Sequence, residues 1–119
     1  MIKTILLAAR PREREILRSV IQEGGHEVVV VDSLDKAHSH LNETQFQIAV
    51  IDEDFDGPNT GWKLAEGIRR HVTSDLKIIV LTRGDYHKYF ESKEFEGKFD
   101  WVMGFPISSE QLLHELTRK

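Results

Sequence analysis

The sequence predicts an α/β fold: a doubly wound, five-stranded parallel sheet in the order 2-1-3-4-5, with helices on both faces forming a three-layer sandwich. Three observations predict it. Apolar runs and helical patterns alternate five times along 119 residues. Three of the runs, Val28-Val29-Val30-Val31, Ile48-Ala49-Val50-Ile51 and Ile78-Ile79-Val80-Leu81, are continuously apolar, as parallel strands covered by helices on both faces are. Two runs close on small polar or acidic residues, Asp52 and Thr82, at the carboxyl edge where ligands gather in open α/β sheets. Alternation implies right-handed crossovers. It leaves the strand order open, and 2-1-3-4-5 is the common doubly wound solution for five strands.

The first strand covers Lys3–Ala9. Pro11 then suits the first turn of a helix whose stripe is Ile16, Leu17, Val20 and Ile21, ended by Gly24-Gly25. Glu27–Val31 is the second strand, and Leu34, Ala37 and Leu41 recur at i, i+3, i+7 in the helix after it. The third strand, Phe46–Asp52, precedes a helix with Leu64, Ala65, Ile68 and Val72 on one side. Leu76–Thr82 is the fourth strand. The segment from Asp85 to Glu94 carries the weakest helical pattern and reads as a short fourth helix, with Tyr86, Tyr89, Phe90 and the following Phe95 set among charges. Lys98–Met103 is the fifth strand. Leu112, Leu113 and Leu116 mark the last helix, opened by Ser108 with Gln111 three residues on, a capping-box pattern. There is no repeat, low-complexity tract or linker, so residues 1–119 read as a single domain.

A chain of this length buries roughly two-thirds of its unfolded surface and needs no covalent staple. It contains no cysteine, which excludes disulfides, thiolate metal sites and thiol nucleophiles. Sixteen basic residues against twenty acidic ones give a net charge of −4, a balance that argues against nucleic acid as a partner. The first apolar run is too short for a signal-peptide core or a membrane span. A cytoplasmic protein with no membrane partner is expected.

Asp52-Glu53-Asp54-Phe55-Asp56-Gly57 matches the opening of a calcium loop, but the twelfth position is Lys63 where a bidentate Glu belongs. A strand also precedes it in place of a helix, so a solvated acidic turn is the simpler reading. His38 and His40 lie two apart on a helix and point to different faces. His26, His71, His87 and His114 scatter near element ends and read as surface residues. The turn Ala8-Ala9-Arg10-Pro11-Arg12-Glu13 lacks the glycines that let backbone approach a phosphate. No G-x-S-x-G elbow is present. Nothing supports an enzyme. Arg10, directly after the first strand, shares the sheet edge with Asp52.

Taken together, these positions resemble the receiver domain of bacterial response regulators, the chemotaxis-regulator fold with its flavodoxin-like sandwich. The resemblance spans the whole chain: five alternations, strands ending in Asp52 and Thr82, a late Pro106, and the opening Lys3-Thr4-Ile5-Leu6-Leu7 followed by Pro11 and Arg14. It implies that Asp52 is the phosphoacceptor position, phosphorylated in the family by a histidine kinase. It further implies two acidic residues that hold Mg²⁺ with Asp52, a Thr at Thr82 that contacts the phosphoryl group, a Lys before the late proline, and a switch aromatic at Trp101. This chain departs from that pattern. The acidic pair falls on Ala8 and Ala9, the lysine position on Gly104 or Phe105, and the small residue after the threonine is Arg83. The loop after Asp52 is one residue longer, since Gly61 comes later than the family glycine.

Mg²⁺ is usually held by carboxylates, phosphate oxygens and water, and one carboxylate of three remains. Losing one electrostatic stabiliser typically costs about 3 kcal/mol, or 10²–10³ in rate. The expectation is a degenerate receiver, a pseudo-receiver acting in a two-component phosphorelay system as a phosphorylation-independent protein-interaction module, with no cofactor. The first alternative is a working phosphoacceptor in which Asp54 and Asp56 recruit Mg²⁺ and Arg10 or Arg83 replaces the lysine. The second is a small calcium-binding domain on the Asp52–Asp56 loop. Crowded carboxylates raise one another's pKa unless a cation intervenes, so Arg10 or Arg83 is expected to pair with Asp52. The expected interaction face carries Tyr86, Tyr89, Phe90 and Trp101. A protein partner, a histidine kinase or output protein, or a second copy in a homodimer would meet it.

Overall fold

The computed structural model of the chain describes residues 2–71 and 75–118. Five strands, β1 (Thr4–Ala8), β2 (Glu27–Val31), β3 (Ile48–Asp52), β4 (Lys77–Thr82) and β5 (Trp101–Gly104), form one sheet in the order β2-β1-β3-β4-β5. Every pairing is parallel. The helices are α1 (Pro11–Glu23), α2 (Leu34–Glu43), α3 (Thr60–His71), α4 (His87–Glu91) and α5 (Ser109–Thr117). The expected topology is the observed one.

Successive strand residues point to opposite faces, and the core divides accordingly. Leu6, Ala49 and Ile78 pack with Ala37, Leu64 and Ile68 of α2 and α3. Ile5, Val50 and Ile79 pack with Leu17 and Ile21 of α1 and Leu112 of α5. Both faces are covered, which is why β3 and β4 read as unbroken apolar runs.

Local signals place the helix ends. Gly25, at φ +87°, ends α1 in a conformation that favours glycine. Ser33 caps α2 by accepting from Lys36 N, and Ser108 caps α5 by accepting from Gln111 N at 3.3 Å. Val72, expected on the α3 stripe, lies outside the described residues. Ile16 departs from expectation: it is exposed, because Leu17 and Ile21 already face the sheet and one residue turns the helix by about 100°. β5 begins later than expected, at Trp101. The Asp100 N–H already donates to Ile78 O at 2.9 Å, but its carboxylate takes the Ile78 N–H at 2.7 Å and the Arg69 guanidinium at 2.6 Å, so a side chain stands in for backbone at the strand's entry.

His26, read as a surface residue from the sequence, is buried at the entry to β2. Its Nδ1 accepts from Lys3 N at 3.2 Å, and its Nε2 has no partner among the described residues. Burial, and then the Lys3 charge, lower its pKa. The folded chain thus holds His26 neutral where the unfolded chain protonates it, near pH 6.5. Its contribution to stability is complete above that pH and falls as pH drops towards the lower folded value. Between pH 7.5 and 5.5 the wild type should lose up to about 1.4 kcal/mol more than His26→Gln. Urea unfolding midpoints of the two chains at both pH values check this.

Candidate functional site

The parallel register sets the carboxyl ends of β1, β3 and β4 side by side, with Ala8 beside Ile51 and Asp52 beside Leu81. Ala9-Arg10, Asp52 and Thr82-Arg83 therefore meet at one edge. Asp52 is fully buried at the centre, at 0% exposure. A buried carboxylate without a counter-charge costs several kcal/mol, and its surroundings supply two.

Pro11 biases the preceding residue to extended backbone, and Arg10 is extended at φ −67°, ψ 154°. From the top of β1 its guanidinium closes on Asp52 with two hydrogen bonds, Nε to Oδ2 at 3.0 Å and Nη2 to Oδ1 at 3.2 Å. This fork is the strong form of the interaction. Arg83, leaving β4, adds Nη1 to Oδ2 at 3.3 Å. The Asp54 N–H donates to Oδ1 at 3.1 Å. Each Asp52 oxygen thus accepts two hydrogen bonds. Arg83 also pairs with Glu13 of α1 and lies over the Phe105 ring at 4.1 Å. The result is a charge chain, Arg10–Asp52–Arg83–Glu13, across three strand ends and one helix.

The donors that Mg²⁺ would need do not fit here. Ala8 and Ala9 are buried methyl groups, and Arg14 closes its own fork on the Ala9 carbonyl at 3.2 and 3.1 Å. Asp54 Oδ1 accepts from Asn59 N at 2.8 Å, and Asp56 Oδ2 accepts from Leu34 N at 3.3 Å. Among the described residues, no three His, Cys, Asp or Glu side chains converge to hold a metal ion. The calcium-like loop is pulled apart in the same way, with Phe55 buried and Glu53 turned towards β4.

The lysine positions carry other side-chain arrangements. Gly104 pairs with Thr82 in register, and a Cβ there would lie 3.2 Å from Tyr86 Cδ1. Phe105 underlies Arg83. Gly61 opens α3 so tightly against the strand end that a Cβ would come within 2.6 Å of Glu53 Cα. Only glycine allows the longer loop to return there.

The Thr82 hydroxyl is turned to partners other than Asp52. It donates to Glu53 and accepts from Gly84 N at 3.0 Å. Glu53 also accepts from the Tyr89 hydroxyl at 2.7 Å and from Trp62 Nε1 at 3.4 Å. Sequence reasoning passed over Glu53 as one charge in an acidic turn. Its position beside Asp52 at a strand end was the available signal.

The aromatic face needs one correction. Tyr86 is 40% and Phe90 46% exposed, but Tyr89 is only 5% exposed. Its ring packs against Trp62 at 5.0 Å and Phe95 at 4.7 Å, because its hydroxyl reaches inward to Glu53. Burial, and then the Glu53 hydrogen bond, raise the phenol pKa. Trp101 is half-buried on β5, with the Phe90 ring 5.4 Å away and Arg118 over it at 5.3 Å. The face is left with Tyr86, Phe90 and Trp101.

No family model matches the chain, and no curated protein matches it. Solved structures do. A receiver domain (CheY-like) from Methylobacillus flagellatus superposes with a TM-score of 0.82 at 18% identity, over 98% of this chain and 97% of that one. The receiver domain of a sensor histidine kinase from Pseudomonas aeruginosa, with magnesium in its active-site cleft, gives 0.83 at 18% over 99% and 97%. NtrX from Brucella abortus, in complex with ADP, gives 0.81 at 16% over 98% of this chain, which spans 25% of NtrX. The chain has the fold of response-regulator receiver domains. Among the described residues, no helix is long and apolar enough to cross a membrane.

Proposed function

We propose that the chain is a degenerate receiver, a cytoplasmic interaction module of a two-component system whose state is set without phosphorylation of Asp52. The observation that carries this reading is the saturated Asp52 carboxylate. Both oxygens are engaged by guanidinium or backbone N–H donors, so an incoming phosphoryl group meets no free lone pair. Phosphoryl transfer depends on positioning and charge stabilisation. Here the positive charge is directed at the carboxylate itself. The chain then works by binding a protein, whether a histidine kinase, an output protein or a second copy of itself, and not as an enzyme.

One observation favours the alternative of a working phosphoacceptor: Arg10 and Arg83 are each about one-third exposed, at 32% and 37%. Both could swing onto a phosphoryl group if they released Asp52. No comparable observation favours calcium binding.

The binding surface proposed is α4–β5–α5, where Tyr86 and Phe90 are exposed beside Trp101. Aromatic side chains concentrate binding energy at interfaces. Small-angle scattering over a concentration series should show self-association that a phosphodonor with Mg²⁺ leaves unchanged. Tyr86→Ala with Phe90→Ala should weaken it at least about thirtyfold, as loss of a hot spot does. Association indifferent to both substitutions would place the working surface elsewhere.

A further inference from the structure

Helix α4 has a stability problem. At five residues it is far below the length at which a helix stands alone in water, and its N-cap, Tyr86, offers no side-chain cap. Its one buried residue is Tyr89. Phe90 rests on Phe99 and Trp101 at the surface, so Tyr89 is the inward anchor of α4 and helps place the exposed Tyr86 and Phe90.

The Tyr89 ring packs on Trp62 and Phe95, and Glu53 fixes its hydroxyl end. The carboxylate gathers donors from three elements: the Thr82 hydroxyl at the end of β4, the Tyr89 hydroxyl on α4 and the Trp62 indole on α3. Thr82 in turn accepts from Gly84 N and so shapes the start of the β4–α4 loop. Glu53 itself is held from below, since Glu53 N donates to Leu81 O at 3.0 Å and Gly61 N donates to Glu53 O at 2.8 Å. A carboxylate one residue from Asp52 thus occupies the hydroxyl that the receiver resemblance would assign to a phosphoryl oxygen.

We propose that Glu53 is a built-in anion that holds Thr82 and Tyr89, and through them α4, in one position, so that the α4 face is presented in a single state. Glu53 is a positioning residue that acts through Tyr89. The proposal rests on the phosphorylation-independent reading above and supplies its regulation: a resident negative charge replaces a transferable one. Hydrogen bonds to a charged acceptor are stronger than neutral ones, so removing this one should loosen α4 before the rest of the fold.

The test is amide hydrogen exchange on the full chain, comparing wild type, Glu53→Ala and Tyr89→Phe. Peptides covering residues 84–96 should exchange on the order of ten- to a hundredfold faster in Glu53→Ala, and in the same direction in Tyr89→Phe. Peptides from β1 and β3 should be unchanged. A second readout is the phenol titration in a Tyr86→Phe background, which leaves Tyr89 as the only tyrosine of two. Its pKa should fall in Glu53→Gln while remaining above the ordinary value, because burial persists. Unchanged protection of residues 84–96 in both variants, protection lost uniformly along the chain, or an unmoved phenol titration each overturns the proposal. Intact mass of the same samples after phosphodonor treatment reports on Asp52 separately. Failure of the Glu53 role is thereby distinguished from failure of the phosphorylation-independent reading.

Discussion

Arg10→Ala is expected to destabilise the fold by about 3 kcal/mol, the lower end of the range for breaking a buried charge pair. Asp52, fully buried in the wild type, loses two of its four hydrogen bonds, and among the described residues Arg83 remains as its side-chain counter-charge at 3.3 Å. Asp52→Ala should cost less, about 1–2 kcal/mol, because Arg10 and Arg83 reach solvent and can hydrate once released. The double variant should then be no worse than Arg10→Ala alone. That gives a coupling energy of at least about 1 kcal/mol in a double-mutant cycle. Urea unfolding of the four chains measures it. Strictly additive losses would mean that the pair is a surface contact and the pocket is not latched.

How much of this was legible in the sequence depends on the range of the interaction. The sheet was readable because β3 and β4 are buried on both faces and must be apolar throughout, and because Ser108 with Gln111 and Gly24-Gly25 are local signals. Ile16 was misread because a helical stripe fixes a face only to within one residue, and Leu17 with Ile21 took the core. His26 was misread because burial at a strand entry depends on Lys3, 23 residues away. At the site, the meeting of Arg10, Asp52 and Arg83 followed from topology, since strand ends in a parallel sheet share one edge. The inward turn of Tyr89 did not follow. It depends on Glu53 lying 36 residues away, and no local pattern separates a tyrosine that anchors a short helix from one that faces a partner.

On the function proposed above, this pocket has exchanged transferable charge for resident charge. Where the receiver resemblance calls for a metal-binding acidic pair and a lysine, this chain has Ala8, Ala9 and Gly104 or Phe105, and each electrostatic stabiliser is typically worth 10²–10³ in rate. The joint loss of the pair and the lysine should slow transfer to Asp52 by roughly 10⁴ or more. Asp52 must also give up a guanidinium contact before an oxygen can attack. The most direct measurement is intact-mass spectrometry of the chain after incubation with a small phosphodonor and Mg²⁺. The unmodified mass is expected for the wild type and for Asp52→Ala alike. One added phosphoryl group on the wild type, absent from Asp52→Ala, would contradict it.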